Sequence, residues 1–456
     1  SISSHKAGYP VERPFMTPPL QLKLPSDDAL LDAAFALRIL GVPSGQRADI
    51  SAQMTDENGC VWRSHAIFYA DMNGIVDTQT DPSVGGTYTG VSANGLLWSM
   101  MPAAPAQLSE FLNGIADHPT RTTVPVFTKF EPVPITIQVE TDDGCFAEES
   151  FLQRPVAPTV TIEEIDEDGV AGVCFMPRGD GPHPGVVVVP GSNGGTHTQS
   201  AALLASRGFA VFAMALYNYK SLPPTGENIP LEGYRNAVHW LREKIGHDRI
   251  ALRGGSRGAE GALLAAAHFP GLVKSVIAWV PTPMHLAASS SAPGTQLPLY
   301  TLEGEPLPFA NVHFPVDRIM QPTTFEAPFR PAPSFMQAWK DPANREQFMM
   351  PFETIDVPVL LVSGTADEMW PSAYAADAIM AELRSRRPDV RVEHVCCPGA
   401  GHTFHVPNVV ESCASATYHL INRMWLSAGG TPQANADGAR RAWDHYLRFL
   451  RETTAA

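Results

Sequence analysis

The chain has 456 residues, 47 of them acidic and 32 basic, which gives a formal net charge of −15 at neutral pH. Because this length exceeds a typical single hydrophobic core, we expect two domains. An acidic chain has no general attraction for nucleic acid or for an anionic membrane surface, so neither is expected as a partner. No run of about 18 apolar residues occurs, and residues 1–20 lack a basic start followed by an apolar core, so neither a membrane span nor a signal peptide is expected.

The six cysteines do not follow the spacing of a metal site. Cys396 and Cys397 are adjacent, and the other four are scattered along the chain. This distribution favours reduced, mostly buried thiols in a cytoplasmic protein. We expect no metal and no cofactor.

The region from Leu30 to about Pro155 contains short segments in which apolar and polar residues alternate. The clearest alternation is in Val133, Ile135, Ile137 and Val139, where the intervening Pro134 indicates a strand start or an edge strand. The tetrapeptides DENG (56–59) and DMNG (71–74) are typical of hairpin turns. This region is therefore predicted to be a small antiparallel β-sandwich.

Two features of this region are less distinctive. Residues 30–40 fit a strand, because the apolar side chains of Phe35, Leu37 and Ile39 alternate, but their alanine content also fits a helix. We interpret His65 and His118 as surface or hydrogen-bonded histidines rather than as ligands.

After about Glu164 the pattern changes to strands that alternate with helices. Uninterrupted β-branched runs such as Val186–Val189 are typical of strands buried on both faces of a parallel sheet. We therefore expect a doubly wound, mostly parallel α/β sheet, with the ligand at the carboxyl ends of the strands. The predicted strands are 186–189, 209–214, 250–252, 276–280, 359–362 and 390–395, and the predicted helices are 200–206, 231–244, 373–384 and 439–450.

The proline-rich region between Pro281 and Pro358 has little periodicity. The segment Ala287–Thr295 is predicted to be an exposed loop. The remainder fits either a lid that faces the substrate or a plain surface insertion, and we assign no chemistry to it.

The segment RIALRGGSRGAEGALLAA (249–266) has an apolar strand pattern, a G-x-S-x-G pentapeptide and a helix pattern in that order. In this setting the pentapeptide predicts a nucleophile elbow, in which Ser256 is exposed on a strained turn and the flanking glycines allow strand and helix to approach closely. Ser256 is the predicted nucleophile.

A serine nucleophile needs a base, and the base needs an acid that orients it. In a hydrolase of this kind the acid and then the histidine follow the serine along the chain, each after a strand. Asp367 in SGTADEMW and His402 in CCPGAGHTF satisfy this order. The sequence leaves rivals for both roles. They are Glu368 and Asp377 for the acid, and His394 and His405 for the base.

Acyl transfer also needs donors for the developing oxyanion. One should be the backbone N–H of Arg257, directly after the nucleophile, and the other should come from Ser192 or Asn193 in the loop PGSNGG after the first buried strand. The Arg257 side chain is a candidate for holding an anionic part of the substrate, with surface ion pairing as the alternative.

Several blocks together resemble the acyl-CoA thioesterase and bile acid-CoA:amino acid N-acyltransferase family. The similarity covers nearly the whole chain, and the order of the blocks is more specific than any one motif. The N-terminal blocks are TDENGCVWRSHAIFYAD and GGTYTGVSANGLLWSM; the later ones are PGSNGG, GFAVFAMALYNYKSLP, GGSRGAEGALL, SGTADEMW, PGAGHTF and AGGTPQANADGARRAWDHYLRFL.

The resemblance implies an immunoglobulin-like β-sandwich over residues 1–156 and an α/β-hydrolase domain over residues 157–456. It carries the same triad onto Ser256, Asp367 and His402. Because family members that conjugate acyl groups to amino acids often carry cysteine at the nucleophile position, the serine here favours water as acceptor.

The expected activity is hydrolysis of an acyl-CoA thioester, a small-molecule substrate, through an acyl-enzyme. The alternatives are acyl transfer to an amine or alcohol, hydrolysis of esters without coenzyme A, and, from a different class, an inactive binding protein that kept the fold. Coenzyme A is polyanionic and usually needs local cations, for which Lys220, Arg253 and Arg257 are the candidates.

Overall fold

The computed structural model of the chain describes residues 19–103, 125, 127–167, 169–289 and 296–456. Its N-terminal part consists mainly of short antiparallel strands, as the alternation predicts. The elements of this part are β1 (Gln21–Lys23), β2 (Arg38–Leu40), β3 (Arg47–Thr55), β4 (Val61–Tyr69), β5 (Ile75–Asp77), α1 (Gly95–Trp98), β6 (Met101–Pro102), β7 (Val133–Thr141) and β8 (Phe146–Gln153).

These strands form a five-stranded sheet in the order β6-β4-β3-β7-β8 and a three-stranded sheet in the order β1-β2-β5. Side chains from both sheets, such as Ile39 and Ile137, share one apolar core. Every second residue of β7 from Val133 onward is buried, as expected for a strand with one face on a core. Pro134 lies at the start of β7, which is a central strand, so of the two predicted positions the strand start is the correct one.

The two predicted hairpin turns differ. Residues 56–59 connect the paired strands β3 and β4, and the Asp56 carboxylate accepts hydrogen bonds from the N–H groups of Asn58 and Cys60. Residues 71–74 also form a turn, but β5 after it pairs with β2 in the other sheet, so the prediction of a hairpin there is wrong. The turn carries the chain from one sheet of the sandwich to the other.

Residues 30–40 contain the strand β2 and no helix, so the strand interpretation is correct for the last residues of this segment. His65 is partly exposed and lies 3.1 Å from an Asp49 oxygen, as expected of a hydrogen-bonded surface histidine. His118 lies outside the described residues.

The second part of the chain contains an eight-stranded sheet and the helices that cover it. The strands of this second part of the chain, not all of which belong to the large sheet, are β9 (Thr161–Glu167), β10 (Val170–Met176), β11 (Gly185–Val189), β12 (Ala210–Ala215), β13 (Ile229–Pro230), β14 (Ile250–Gly255), β15 (Ser275–Trp279), β16 (Tyr300–Leu302), β17 (Glu305–Pro306), β18 (Val359–Gly364), β19 (Val392–Cys397), β20 (Ala416–His419) and β21 (Met424–Ser427). Its α-helices are α2 (Thr198–Ser206), α3 (Glu232–Ile245), α4 (Arg257–His268), α5 (Val316–Ile319), α6 (Ala332–Lys340), α7 (Pro342–Phe348), α8 (Ser372–Arg386) and α9 (Pro432–Thr453).

The large sheet has the order β9-β10-β12-β11-β14-β15-β18-β19. The strands from β12 to β19 are parallel, whereas β10 is antiparallel to both of its neighbours. Alternate side chains of β11 enter opposite cores: Val187 and Val189 pack on the face covered by α3, α4 and α8, and Val186 and Val188 on the face covered by α2 and α9. The predicted doubly wound α/β sheet is confirmed, and its parallel strands bring their carboxyl ends to one edge.

The predicted strands and helices of this part are present, with ends that differ by a few residues and the largest extension at α9, which begins at Pro432. Sequence reasoning did not predict the antiparallel strands β9 and β10 or the hairpin of β20 and β21. The region 281–358 carries β16, β17 and α5 to α7. Residues 290–295 of the predicted loop 287–295 lie outside the described residues.

Asp32 connects the sandwich to the second part of the chain. Its buried carboxylate accepts two hydrogen bonds from the Arg207 guanidinium, at 2.8 and 3.1 Å, and one from the Trp443 indole N–H at 2.9 Å. The Asn408 amide donates to the carbonyl groups of Leu31 and Ala33 beside it. A buried carboxylate with three donors is satisfied, so this contact fixes the sandwich against α2 and α9.

None of the helices within the described residues combines the length and the apolarity needed to cross a bilayer. All six cysteines are unpaired, and Cys174, Cys397 and Cys413 are buried.

Candidate active site

Ser256 lies on a sharp turn between β14 and α4. Its backbone has φ +57° and ψ −123°, a conformation that non-glycine residues rarely adopt. A Cβ at Gly254 would lie 2.0 Å from the Gly258 carbonyl oxygen, and a Cβ at Gly258 would lie 2.5 Å from that of Pro190. Both glycines are therefore required by close backbone contacts, and the turn has the geometry of a nucleophile elbow.

The structure brings Ser256, His402 and Asp367 together. His402 Nε2 lies 2.9 Å from Ser256 Oγ, and His402 Nδ1 lies 2.8 Å from Asp367 Oδ2. The other carboxylate oxygen, Asp367 Oδ1, accepts hydrogen bonds from the N–H groups of Met369 and Trp370. The Asp367 side chain is fully buried, so these contacts hold both the carboxylate and the imidazole in one orientation.

The rival acid Glu368 points away from this cluster. Its carboxylate accepts a hydrogen bond from the Ser427 hydroxyl and pairs with Arg330 at 3.0 Å. The rival base His405 contacts Arg253 and Trp279 instead, with its Nδ1 3.4 Å from the Arg253 guanidinium and its ring 5.9 Å from that of Trp279.

The remaining rivals, His394 and Asp377, form a separate cluster with Ser363. His394 Nε2 lies 2.8 Å from Ser363 Oγ, and His394 Nδ1 lies 3.4 Å from Asp377 Oδ1. Ser363 lies inside β18 and is 0% exposed. This second cluster has the residue types of a triad, but its serine is fully buried.

The expected oxyanion donors lie next to the elbow. The backbone N–H groups of Ser192, Asn193 and Arg257 make no hydrogen bond to any other described residue. All three residues line the same cavity as Ser256. Free N–H groups from a strand end and from the first turn of α4 have the character that an oxyanion site needs.

The side chains predicted to bind an anionic substrate are engaged within the protein. The Arg257 guanidinium is buried, pairs with Glu260 at 2.7 Å, and donates to the carbonyl oxygens of Leu286 and Ala287 at 3.1 and 2.7 Å. It therefore fixes the cavity wall that those two residues form. The Lys220 ammonium instead pairs with Glu164 on β9, at 2.8 Å.

Arg253 is also buried, and its guanidinium lies over the Trp279 ring at 5.4 Å. Among the described residues, the only hydrogen-bond partner of the Arg253 guanidinium is His405. Its charge lies behind the cavity wall that His405 and Gly255 form, so it is placed to contribute positive potential there rather than a direct contact.

Ser256 opens onto a cleft with about 620 Å³ of free volume. Much of the wall is apolar and comes from the region 281–358, for which the sequence left open either a lid that faces the substrate or a plain surface insertion. Phe314, Phe335, Trp370 and His402 form a continuous series of ring contacts, with centroids 5.4 to 5.6 Å apart. An apolar cleft that ends at a reactive hydroxyl suits a substrate with a sizeable hydrocarbon part.

Histidines other than His402 also line the cleft. Burial lowers the pKa of His197 and of His419 to about 4, and it lowers that of His405 well below its usual value. These imidazoles are therefore neutral near pH 7. His419 belongs to the hairpin that sequence reasoning missed, and the short strands β20 and β21 carry too few alternating residues to have revealed it.

The strand order, the elbow and the cleft at the carboxyl ends of the strands define an enzyme of the α/β-hydrolase class, here preceded by a β-sandwich. Solved structures of similar fold include an alpha/beta hydrolase from a Medee basin deep-sea metagenome library, with a TM-score of 0.39 and 14% identity over 65% of this chain and 99% of that one.

Comparison with known families is more specific. Residues 32–167 match the acyl-CoA thioester hydrolase/BAAT N-terminal region, and residues 229–456 match the BAAT/acyl-CoA thioester hydrolase C-terminal region. The chain belongs to the acyl-CoA thioester hydrolase/BAAT family, as its sequence blocks predict.

Relatives with two kinds of activity in their names match nearly the full chain. Acyl-coenzyme A thioesterase 2, mitochondrial, from Mus musculus is 27% identical, covering 93% of this chain and 87% of that protein. Acyl-coenzyme A thioesterase 1 from Homo sapiens is also 27% identical, covering 93% and 94%. Acyl-coenzyme A amino acid N-acyltransferase 2 from Mus musculus is 28% identical, covering 95% and 97%.

Proposed function

We propose that this enzyme hydrolyses acyl-CoA thioesters to free acid and coenzyme A through an acyl-enzyme on Ser256. The observation that carries the proposal is the hydrogen-bonded series Ser256, His402 and Asp367 at the end of an apolar cleft. Family membership supplies the thioester as substrate class.

In the first half-reaction His402 Nε2 takes the proton of Ser256 as Oγ attacks the thioester carbonyl carbon. Asp367 holds the imidazole in the required tautomer and stabilises the imidazolium that forms. The N–H of Arg257 and an N–H of Ser192 or Asn193 stabilise the oxyanion of the tetrahedral intermediate. The carbon–sulfur bond then breaks, and His402 returns the proton to the departing thiolate.

In the second half-reaction His402 removes a proton from a water that attacks the acyl carbon of the Ser256 ester. Collapse of this second tetrahedral intermediate breaks the ester bond, the Ser256 oxygen takes the proton back from His402, and the free acid leaves.

Thiol release measured across a panel of acyl-CoA esters, for wild type and Ser256→Ala, tests the proposal. We expect turnover in wild type and none in the variant, and we expect a serine-directed phosphonate to label Ser256. Labelling of another residue with Ser256 untouched would refute the assignment. Turnover of simple esters without any turnover of acyl-CoA would favour the esterase alternative.

The second candidate is acyl transfer to an amine, which the N-acyltransferase relative supports. The ratio of amide to free acid in the presence of glycine or taurine separates the two functions. A thioester on Ser256→Cys is more readily attacked by an amine than the oxygen ester of the wild type. We expect no amide from either form, because the natural nucleophile is an oxygen and the sequence has no motif that would hold an amino acid acceptor; substantial amide from wild type would establish the transferase.

We further propose a domain boundary near residue 156, because β8 is the last strand of the sandwich and β9 the first strand of the large sheet. We propose the cytoplasm as the location, on the support of the six unpaired cysteines.

A further inference from the structure

We infer that the side-chain hydroxyl of Ser192 is an additional hydrogen-bond donor to the oxyanion, and that His419 is the positioning residue that directs its proton into the cleft. This inference rests on the proposed acyl transfer at Ser256. It concerns side chains, whereas the donors described above are backbone N–H groups.

The contacts of His419 define which ring nitrogen carries the proton. The backbone N–H of Asn422 donates to His419 Nδ1 at 3.1 Å, so this nitrogen is an acceptor and carries no proton. The proton of a neutral imidazole must then lie on Nε2, which is 3.0 Å from Ser192 Oγ. His419 therefore donates to Ser192.

The neutral state of the ring is supported separately. His419 is only 5% exposed, and burial, with a smaller contribution from the Arg257 charge, lowers its pKa to about 4. A doubly protonated ring, which would have no acceptor nitrogen for the Asn422 N–H, is excluded near pH 7.

This arrangement leaves the Ser192 proton available. Since Ser192 Oγ accepts from His419, its own O–H must donate in another direction, and it has no other hydrogen-bond partner among the described residues. Ser192 and Ser256 line the same cleft, and the carbonyl group of Pro190, two residues before Ser192, is in close contact with Gly258 of the elbow. A preorientated O–H beside the nucleophile is what stabilisation of a developing oxyanion requires.

His419 does more than hold the hairpin in place, because a separate contact already does so. The backbone N–H of Leu420 donates to Asn193 Oδ1 at 3.2 Å and joins the hairpin to the oxyanion loop directly. Loss of the His419 imidazole therefore removes the orientation of the Ser192 hydroxyl while this connection persists.

The test is a double-mutant cycle on acyl-CoA hydrolysis with Ser192→Ala, His419→Leu and the double variant. We expect Ser192→Ala to lower kcat roughly a hundredfold, the effect typical of one lost oxyanion donor, with KM within about twofold. His419→Leu should lower kcat by less, and the double variant should be no worse than Ser192→Ala, because His419 acts through Ser192. His419→Gln, whose amide can still donate to Ser192, should recover part of the loss.

Two further measurements separate this role from a structural one. Affinity for a trifluoromethyl ketone, which forms an oxyanion on Ser256, should fall in parallel with kcat/KM, whereas a general disturbance of the cleft would raise KM as well. Ser363→Ala and His394→Gln provide a matched control, because these residues also form a buried serine–histidine hydrogen bond, at 2.8 Å, away from the cleft. Neither control should change kcat by more than about twofold.

Each outcome decides one proposal. An unchanged kcat in Ser192→Ala, or a double variant whose loss equals the product of the single losses, overturns the inference while the hydrolase function stands. Phosphonate labelling of Ser256 is measured in every variant, and no labelling in wild type would overturn the proposed function and with it the role of Ser192.

Discussion

Two clusters of the same three residue types lie on or beside the large sheet, and their difference shows what makes one of them a candidate for catalysis. Ser256, His402 and Asp367 lie on the loops after three strands of the sheet, whereas Ser363 and His394 lie within β18 and β19, with Asp377 on α8. The serine–histidine distances are nearly equal, at 2.9 and 2.8 Å. Distance therefore does not separate the two clusters.

Backbone conformation and burial do separate them. The positive φ of Ser256 turns its hydroxyl out of the sheet into a cleft, while Ser363 continues a regular strand and is fully buried. The acids differ in the opposite sense: the Asp367 side chain is 0% exposed with fixed donors, and the Asp377 side chain is 68% exposed. An exposed carboxylate is screened by water and constrains a histidine weakly. The first cluster thus combines an accessible nucleophile with a buried acid, and the second has the reverse.

The largest expected difference in turnover between the two clusters comes from removing the hydroxyl of one serine or of the other. Ser256→Ala should reduce acyl-CoA hydrolysis by roughly five to six orders of magnitude, because the nucleophile is lost, while the fold stays intact. Ser363→Ala should leave turnover within about twofold. Initial rates of thiol release, with unfolding temperatures as the control for folding, check both. Comparable losses of thiol release in the two variants would contradict the assignment of catalysis to the first cluster alone.

Removing the carboxylate charge from each cluster should produce an almost equally large difference in kcat. Asp367→Asn keeps the size of the side chain but stabilises the wrong tautomer of His402 and leaves the imidazolium without its counter-charge, so kcat should fall by up to about ten-thousandfold. Asp377→Asn and Glu368→Gln should change kcat by less than about threefold, since neither carboxylate contacts His402. Steady-state kinetics on the three variants measure this, and a larger loss in Glu368→Gln than in Asp367→Asn would move the acid to Glu368.

The close backbone contact at the elbow can be tested by one added methyl group. In Gly258→Ala the new Cβ would lie 2.5 Å from the backbone oxygen of Pro190, which cannot rotate away. We expect a loss of about 1–3 kcal/mol in the free energy of unfolding, as for overpacking, together with a fall in kcat as the oxyanion loop is displaced. Chemical denaturation and turnover measured on the same preparation check this, and wild-type values of both would contradict it.

The first cluster was predictable from sequence because each of its residues follows a strand that has a recognisable sequence pattern. Short segments rich in apolar residues indicate β14, β18 and β19, and the order serine, acid, histidine then favours Ser256, Asp367 and His402 over their rivals. The second cluster was not predictable, because its serine–histidine hydrogen bond crosses between neighbouring strands and depends on which side chains of β18 and β19 share a face.

Other parts of the site depend on contacts that no local pattern encodes. The wall formed by Phe314 and Phe335 comes from a proline-rich region without periodicity, whose conformation is fixed by packing against Trp370. Lys220 is a candidate substrate contact because of its charge, and its ion pair with Glu164 on β9 was not predicted because that strand was not. Tertiary neighbours decide such roles.

The smallest expected effect is a change in the pH dependence of stability, and it comes from the second cluster, which we expect to contribute to stability and not to turnover. Burial, opposed by the Asp377 charge, lowers the pKa of His394 below its ordinary value of 6.5. As pH falls through 6.5 the unfolded chain takes up this proton before the folded one does, so wild type loses stability toward acid pH through this group. His394→Gln has no such proton, and its amide oxygen can still accept a hydrogen bond from the Ser363 hydroxyl, so the difference in unfolding temperature between wild type and variant should shift in favour of the variant from pH 8 to pH 5.5. The other buried histidines contribute equally to both proteins and cancel in that difference. A difference independent of pH would contradict the assignment, whereas kcat should stay within about twofold of wild type throughout, because His394 touches neither Ser256 nor the cleft.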